Sequence, residues 1–396
     1  MLSQFELKNK DIPVAYYNKR KHTASRIDKY LNDICNEISK IQMSSESVDM
    51  LVKLLMNAGI KNNEIMIMGF VGDMHMISHA NADFVNTNGL KTICMGIPEM
   101  TAFANDYKHP ASFSNWLLKR GFSNGSILIG VQLDKPGPLL SEAFNYNRKN
   151  NGINVLITSS IGIYDNVDVL IPVHSNNTLV ACDIVQLIFH YLSANIAFKT
   201  NCCYPDKGAG SLNDYCGLLL QSINSSSYSI DILTDITMLI DKKIKNGKSV
   251  FTFGNGGSAA IAAYFADGLK AALKGNPKYK RNIINSPSFA SDIVNSLDKG
   301  MYKSVFTKVL KSLGVEDDDI LIGISSSGNS ENIVHPMIEI PGVNRVGILG
   351  FDNGGVIGQS GMAQNAFVVP DCGGFKSYQR AEDGQRIALS SILSSL

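Results

Sequence analysis

The 396-residue chain reads as an α/β protein made of two tandem units, each a parallel sheet sandwiched between helices in three layers. Three observations predict this. Short continuous apolar runs alternate with helical patterns, as expected of strands covered on both faces by crossover helices. The order of these elements occurs twice, which suggests internal duplication. A Gly- and Pro-containing stretch over 198–217 separates the two passes. The expected organisation is an N-terminal arm over 1–22, a first unit over 23–197, a linker over 198–217 and a second unit over 218–396.

Each element has a local reason. Residues 1–22 are polar and without period, so they read as an irregular arm. Helical patterns follow over 26–41 and 47–58. Glu64-Ile65-Met66-Ile67-Met68-Gly69-Phe70 is a buried strand, followed by a helix over 74–85. Further strands are expected over 91–95, 126–130, 154–157 and 167–171, and a long helix over 178–194 closes the first pass. The second pass opens with a helix over 230–245 and a strand over 249–253. A helix begins at Ser258, strands recur over 319–324, 345–349 and 366–369, and a last helix runs from Ser377 to the end.

Bulk composition narrows the function classes. Hydrophobic residues make up 44% of the chain and charged residues 18%, the latter below the ~25% usual in soluble domains. The formal net charge is +1. No field of one sign is available to hold a nucleic-acid backbone or an anionic membrane, so neither is expected as a partner. The N-terminus lacks a signal-peptide pattern, and no apolar run is judged to approach the ~20 residues that span a bilayer. Seven cysteines without a CxxC pair argue against a disulfide framework. A cytoplasmic protein is expected.

Two small-residue loops carry the chemistry of the second pass. Gly254-Asn255-Gly256-Gly257-Ser258 and Ser325-Ser326-Ser327-Gly328-Asn329-Ser330 each lie where an apolar strand ends and a helix starts. Ligands of open α/β sheets bind beyond the carboxyl ends of strands. Helix N-termini there offer unpaired N–H groups to an anion, and glycine lets the backbone come close. One such loop would be ordinary capping. Two at successive strand ends point to phosphate, with Asn255, Gly256, Gly257, Ser258, Ser325, Ser326, Ser327 and Ser330 as the binding residues.

These loops, with the flanking Ala259-Ala260 and Leu321-Ile322-Gly323-Ile324, resemble the signature of sugar isomerase (SIS) domains, and among them phosphoheptose isomerases. The likeness is strong from about residue 213 onward and weak over about 25–196. It implies two tandem SIS domains of flavodoxin/Rossmann-like architecture. It also implies aldose–ketose isomerisation of a phosphosugar, here sedoheptulose 7-phosphate to glycero-manno-heptose 7-phosphate, through a cis-enediol. In that family the helix after the first loop carries His and, four residues on, Glu. The last helix carries Gln and, eight residues on, His. The second half departs from this at Tyr264, Gly268, Glu382 and Ser390. The first half has lost both loops, yet it places His79 and Asp83 on the first pair and Cys182 and His190 on the second.

The resemblance therefore implies a shared site, with phosphate held by the second half and proton chemistry by the first. Asp83 and His190 are the expected catalytic residues. His79, Asp83, Cys182 and His190, all competent zinc ligands, are the expected metal set. A fused pair would act as a dimer within one chain, and two-domain chains are expected to pair further into a homo-oligomer. The rival reading is a sugar-phosphate sensor without turnover. An amino-sugar isomerase module ranks last, because no lysine follows the serine loops in a matching place. His75, His335, Lys270, Lys274 and Cys202-Cys203 read as ordinary surface or linker residues.

Overall fold

A computed structural model describes residues 14–396 apart from 70–73, 108–109, 123, 135–136, 161, 200–209, 274–282, 286–292, 294–297 and 372–376. The first half runs α1 (Val14–Ile41), α2 (Ser45–Lys61), β1 (Ile65–Gly69), α3 (Met74–Asn86), β2 (Thr92–Cys94), α4 (Ile97–Tyr107), α5 (Ser112–Lys119), β3 (Ile127–Val131), α6 (Pro138–Lys149), β4 (Ile153–Thr158), β5 (Val169–Pro172) and α7 (Thr178–Lys199). The second runs α8 (Leu212–Ile223), α9 (Ile230–Lys245), β6 (Val250–Gly254), α10 (Gly257–Ala272), β7 (Ile283–Asn285), α11 (Val305–Ser312), β8 (Ile320–Ser325), α12 (Glu331–Glu339), β9 (Asn344–Leu349), α13 (Gly355–Gln359), β10 (Asn365–Val368) and α14 (Tyr378–Ser395).

The duplication expected from sequence is present in the topology. Each half forms a five-stranded parallel sheet, in the orders β2-β1-β3-β4-β5 and β7-β6-β8-β9-β10. Even the register repeats: Ile65 pairs with Ile127 in the first sheet, and Val250 with Ile320 in the second.

The strands explain how the halves fuse. Alternate side chains of a strand face opposite sides. Ile65 and Ile67 of β1, with Val250 of β6 and Ile320, Ile322 and Ile324 of β8, point into one continuous core that both sheets share. Met66 and Met68 point outward to a separate core under Trp116 and Phe144. Phe251 and Phe253 do the same on the far side of the second sheet. Helices α1, α7, α10 and α14 fill the shared layer.

Two local expectations fail. Residues 14–22, read as an irregular arm, form the start of α1. Their exposed polar face is tied to the second half: Lys19 pairs with Asp241, and Arg20 with Asp231 and Asp235 at 2.9 and 3.1 Å. Residues 212–217, read as linker, form the start of α8, capped by a reciprocal Ser211–Asp214 box. The arm's first thirteen residues, the Cys202-Cys203 pair and Lys274 lie outside the described residues.

Helix α7 corrects the reading of apolar runs. Its segment Thr178–Ile196 is long and apolar enough to cross a membrane, but 94% of that window is buried inside the protein. It is a core helix, and its polar residues face α14. The two helices run antiparallel, with Asp183 opposite Ser390 (2.9 Å), Gln186 opposite Arg386 (3.2 Å) and His190 opposite Asp383 (2.8 Å). Arg386 Nε also donates to Asp183 at 2.8 Å, and its guanidinium stacks 3.9 Å from the centre of the Tyr264 ring. Tyr30 donates to Asp183 at 2.7 Å.

A buried ion pair is damaged most by removing one partner, because the other charge is left in a low-dielectric core. Arg386→Ala is expected to lower stability by about 3–5 kcal/mol, read as a shift in the urea midpoint. A loss below about 1 kcal/mol, the usual figure for exposed pairs, would mean that water reaches this layer.

Candidate active site

The site forms where α3, α7, α10 and α14 meet. His79 lies on the inner face of α3, and Asp83 follows one turn later, with its carboxylate 3.5 Å from His79 Nε2. His190, a little past the middle of α7, sets its ring edge-to-face with that of His79 at a centroid distance of 5.0 Å. From the other half, Glu382 on α14 brings Oε2 to 3.4 Å from His79 Nε2 and 3.7 Å from His190 Nε2. The first small-residue loop packs against these side chains from the same half. A methyl group at Gly257 would collide with His79 Nε2 and with both carboxylate oxygens of Glu382. Gly256, at φ +53°, takes a backbone turn that favours glycine.

The second loop is anchored alongside. Ser326 Oγ meets Gln385 Oε1 at 3.4 Å, and Gln385, one turn beyond Glu382, donates to the Ile348 carbonyl. Ser325 Oγ accepts from the Gly328 amide at 3.1 Å, and Ser327 Oγ accepts from Asn329 at 3.3 Å. The Ser325 and Ser327 hydroxyls accept within the loop and keep their own protons, whereas Ser326 donates its proton to Gln385. Ser330 caps α12 by position only, since its side chain makes no cap hydrogen bond, and Ser258 sits in the first turn of α10. Asn255 is different: its amide pairs with that of Asn332.

The metal-ligand expectation needs correcting. The donor atoms that converge within 4.8 Å of one another belong to His79, His190 and Glu382. Cys182 is not among them. Eight helical residues span about 12 Å of axis, so Cys182 and His190 cannot hold one ion from the same helix. Cys182 is buried beside Tyr264 instead. Asp83 stands next to the three-donor set, touching His79. The first half's equivalent of the first loop, at 70–73, lies outside the described residues.

Sequence reasoning missed Glu382 and Asp383 as site residues. Glu382 was visible only as a departure from the family's Gln. Asp383 accepts from His190 Nδ1 at 2.8 Å and from the Tyr215 hydroxyl at 2.6 Å. This leaves His190 Nε2 turned toward Glu382, buried and without a protein hydrogen-bond partner. A carboxylate behind a histidine that points its other nitrogen inward is how proteins orient imidazole ligands and acids.

Electrostatics sharpen the picture. Burial, with the nearby positive charges of His190 and Arg386, holds His79 well below the ordinary histidine value, so it is neutral. Burial would lower His190 as well, but Asp383 opposes it and raises its pKa to about 9. Glu382 is pushed up by burial to about 8. Burial also raises Asp83. Of the remaining candidates, His75 pairs with Asp267 across the halves at 3.0 Å, Lys270 pairs with the same Asp267, and His335 is bonded to Thr307 at 2.7 Å.

The SIS-domain family model matches residues 218–340. A phosphoheptose isomerase of Serratia proteamaculans is 31% identical over 160 residues, covering 40% of this chain and 80% of that protein. The chain belongs to the SIS-domain family. A phosphoheptose isomerase of Glaesserella parasuis is 30% identical over 139 residues, or 34% of this chain and 70% of that protein. Two solved structures match nearly the whole chain in fold. A phosphosugar isomerase, so described provisionally, of Silicibacter pomeroyi has a TM-score of 0.55 at 10% identity and covers 93% of this chain and 96% of its own. The C-terminal domain of glucosamine-fructose-6-phosphate aminotransferase of Francisella tularensis has a TM-score of 0.53 at 12% identity, covering 94% of this chain and 95% of its own. The fold of these two structures thus matches both sheets of the chain.

The charge states set a pH dependence of stability. His190 binds its proton more tightly folded than unfolded, so its contribution is complete below pH 6.5 and lost as pH rises through about 9. Glu382, also raised, acts with the same sign between pH 4.5 and about 8. The melting temperature of metal-free protein is expected to fall steadily from pH 6.5 to 9, and to fall less in His190→Gln. Equal slopes for the two proteins would show that His190 does not carry the extra proton.

Proposed function

We propose that the chain is an aldose–ketose phosphosugar isomerase with one site built from both SIS halves, acting on sedoheptulose 7-phosphate to give glycero-manno-heptose 7-phosphate. The observation that carries this is the close packing of Gly257, at the head of the phosphate loop, against His79 and Glu382. A phosphate on the loops of the second half thereby brings a sugar chain over the imidazoles of the first.

In this reading the phosphate docks on Gly256, Gly257, Ser258, Ser325, Ser326, Ser327 and Ser330, through backbone N–H groups and hydroxyls that need no net charge. The open-chain carbonyl lies over His79, His190 and Glu382. Asp83 takes a proton from C1 of the ketose, electron density moves onto the C2 oxygen, and the cis-enediolate forms. Asp83 returns the proton to C2 while the O1 proton passes to O2, leaving an aldehyde at C1. His190, fixed by Asp383, presents Nε2 to the developing oxyanion as a donor or to a metal as a ligand.

The donor set suits zinc: two imidazole nitrogens and a carboxylate, one imidazole backed by Asp383, with His190 Nε2 otherwise unpartnered. Held by His79, His190 and Glu382, the ion would supply Lewis-acid polarisation of the carbonyl. Because His190 and Glu382 must lose protons to ligate, zinc affinity measured by chelator competition is expected to weaken below about pH 8. A flat pH profile would remove these residues from the metal set.

Incubation with sedoheptulose 7-phosphate is expected to yield aldose product, and Asp83→Asn to lower kcat by roughly 100-fold or more with KM little changed. Unaltered turnover in that variant would assign the base elsewhere. Tight binding of the sugar phosphate without product would favour the sensor, a reading suggested by the loss of His and Glu at Tyr264 and Gly268 in the half that keeps the loops.

A further inference from the structure

We propose that Asn332 is a positioning residue for phosphate binding, clamping the two small-residue loops at a fixed separation through Asn255. Asn332 lies in the first turn of α12, two residues after Ser330, and is fully buried. Asn255 immediately precedes Gly256 and Gly257 in the other loop. The two amides form a reciprocal pair: Asn255 Nδ2 donates to Asn332 Oδ1 at 2.9 Å, and Asn332 Nδ2 donates to Asn255 Oδ1 at 2.8 Å. Two parallel hydrogen bonds fix orientation as well as distance, which one bond cannot do.

The placement gives the pair its role. β6 and β8 are held together by their ladder as far as Gly254 and Ile324. Beyond that point the first strand turns into a glycine-rich loop with little intrinsic stiffness, and the second into a serine-rich one. The other contacts of the second loop run away from the first: Ser326 to Gln385, and Asn329 Oδ1 accepting from Val356 N at 2.8 Å. Among the described residues, the asparagine pair is the side-chain link that joins one loop to the other. It therefore sets how the N-termini of α10 and α12 converge on one anion. A site already assembled loses less entropy on binding, so removing the clamp weakens affinity without touching the reacting groups.

This inference rests on the phosphosugar reading above, and the test separates the two. Binding of inorganic phosphate and of sedoheptulose 7-phosphate is measured calorimetrically for wild type, Asn332→Ala, Asn255→Ala and the double variant. Wild type binds both probes, and each single substitution raises Kd about tenfold, the order expected when one or two buried hydrogen bonds are lost. The double variant is no weaker than the worse single one, because both changes remove the same pair. In turnover, KM rises while kcat changes less than about twofold, a split that general loss of structure would not produce. Asn332→Leu keeps the branching of the buried side chain without its polar atoms and carries the same expectation if the alanine variant does not fold. Wild type that binds neither probe ends the phosphosugar reading itself. Wild type that binds while folded Asn332 variants bind equally well, or single effects that multiply in the double variant, overturns the clamp.

Discussion

Everything at the centre of this molecule depends on the polar seam between α7 and α14. Two long helices, each the last of its half, lie antiparallel and exchange buried hydrogen bonds by an internal two-fold rule. Asp383 holds residue 190 of the other helix and a tyrosine, Tyr215, from α8; Asp183 holds residue 390 and a tyrosine, Tyr30, from α1. Such groups can leave water only when their partners are present and well aligned. The seam thus fixes how the halves face each other, and His190 inherits its position from it.

The same symmetry shows what became of the second site that two equal halves would share. Where one end of the seam holds His79, His190 and Glu382 with their donor atoms close together, the related positions hold Tyr264, Ser390 and Cys182. Tyr264 and Ser390 are hydrogen-bonded at 2.7 Å, and Arg386 covers the tyrosine ring while paired to Asp183. That end is filled with side chains. Cation–aromatic stacking and an ion pair add cohesion there, while the opposite end keeps a carboxylate and two imidazoles close together with pKa values pushed apart. The two ends of the seam have thus diverged, one keeping a carboxylate and two imidazoles and the other an ion pair stacked on a tyrosine.

Much of this was legible in the chain. Strand-length apolar runs ended within a residue or two of their observed bounds, because a strand buried on both faces is mostly apolar and its few polar residues, such as Asn154 and Thr252, are hydrogen-bonded. The serine and glycine loops were legible as runs of small residues at two strand ends, where the structure places them beyond β6 and β8. His79 and His190 were placed by resemblance alone. What stayed hidden came from across the fusion. Glu382 reaches His79 from the opposite half, Asn332 reaches Asn255 over a gap of 77 residues, and neither spacing carries a period. Cys182 misled because a pair eight apart on one helix looks like a shared face, yet the rise along the axis separates its members. The start of α1 looked irregular because its partners, Asp231, Asp235 and Asp241, lie on a distant helix.

The account stands on there being one composite site per chain, since the related position is closed by Arg386 and Tyr264. Calorimetric titration of the full chain with sedoheptulose 7-phosphate reads this directly. A stoichiometry of one ligand per chain is predicted. Two equivalent ligands per chain would contradict it, because the braced end of the seam would then have to open and bind as well.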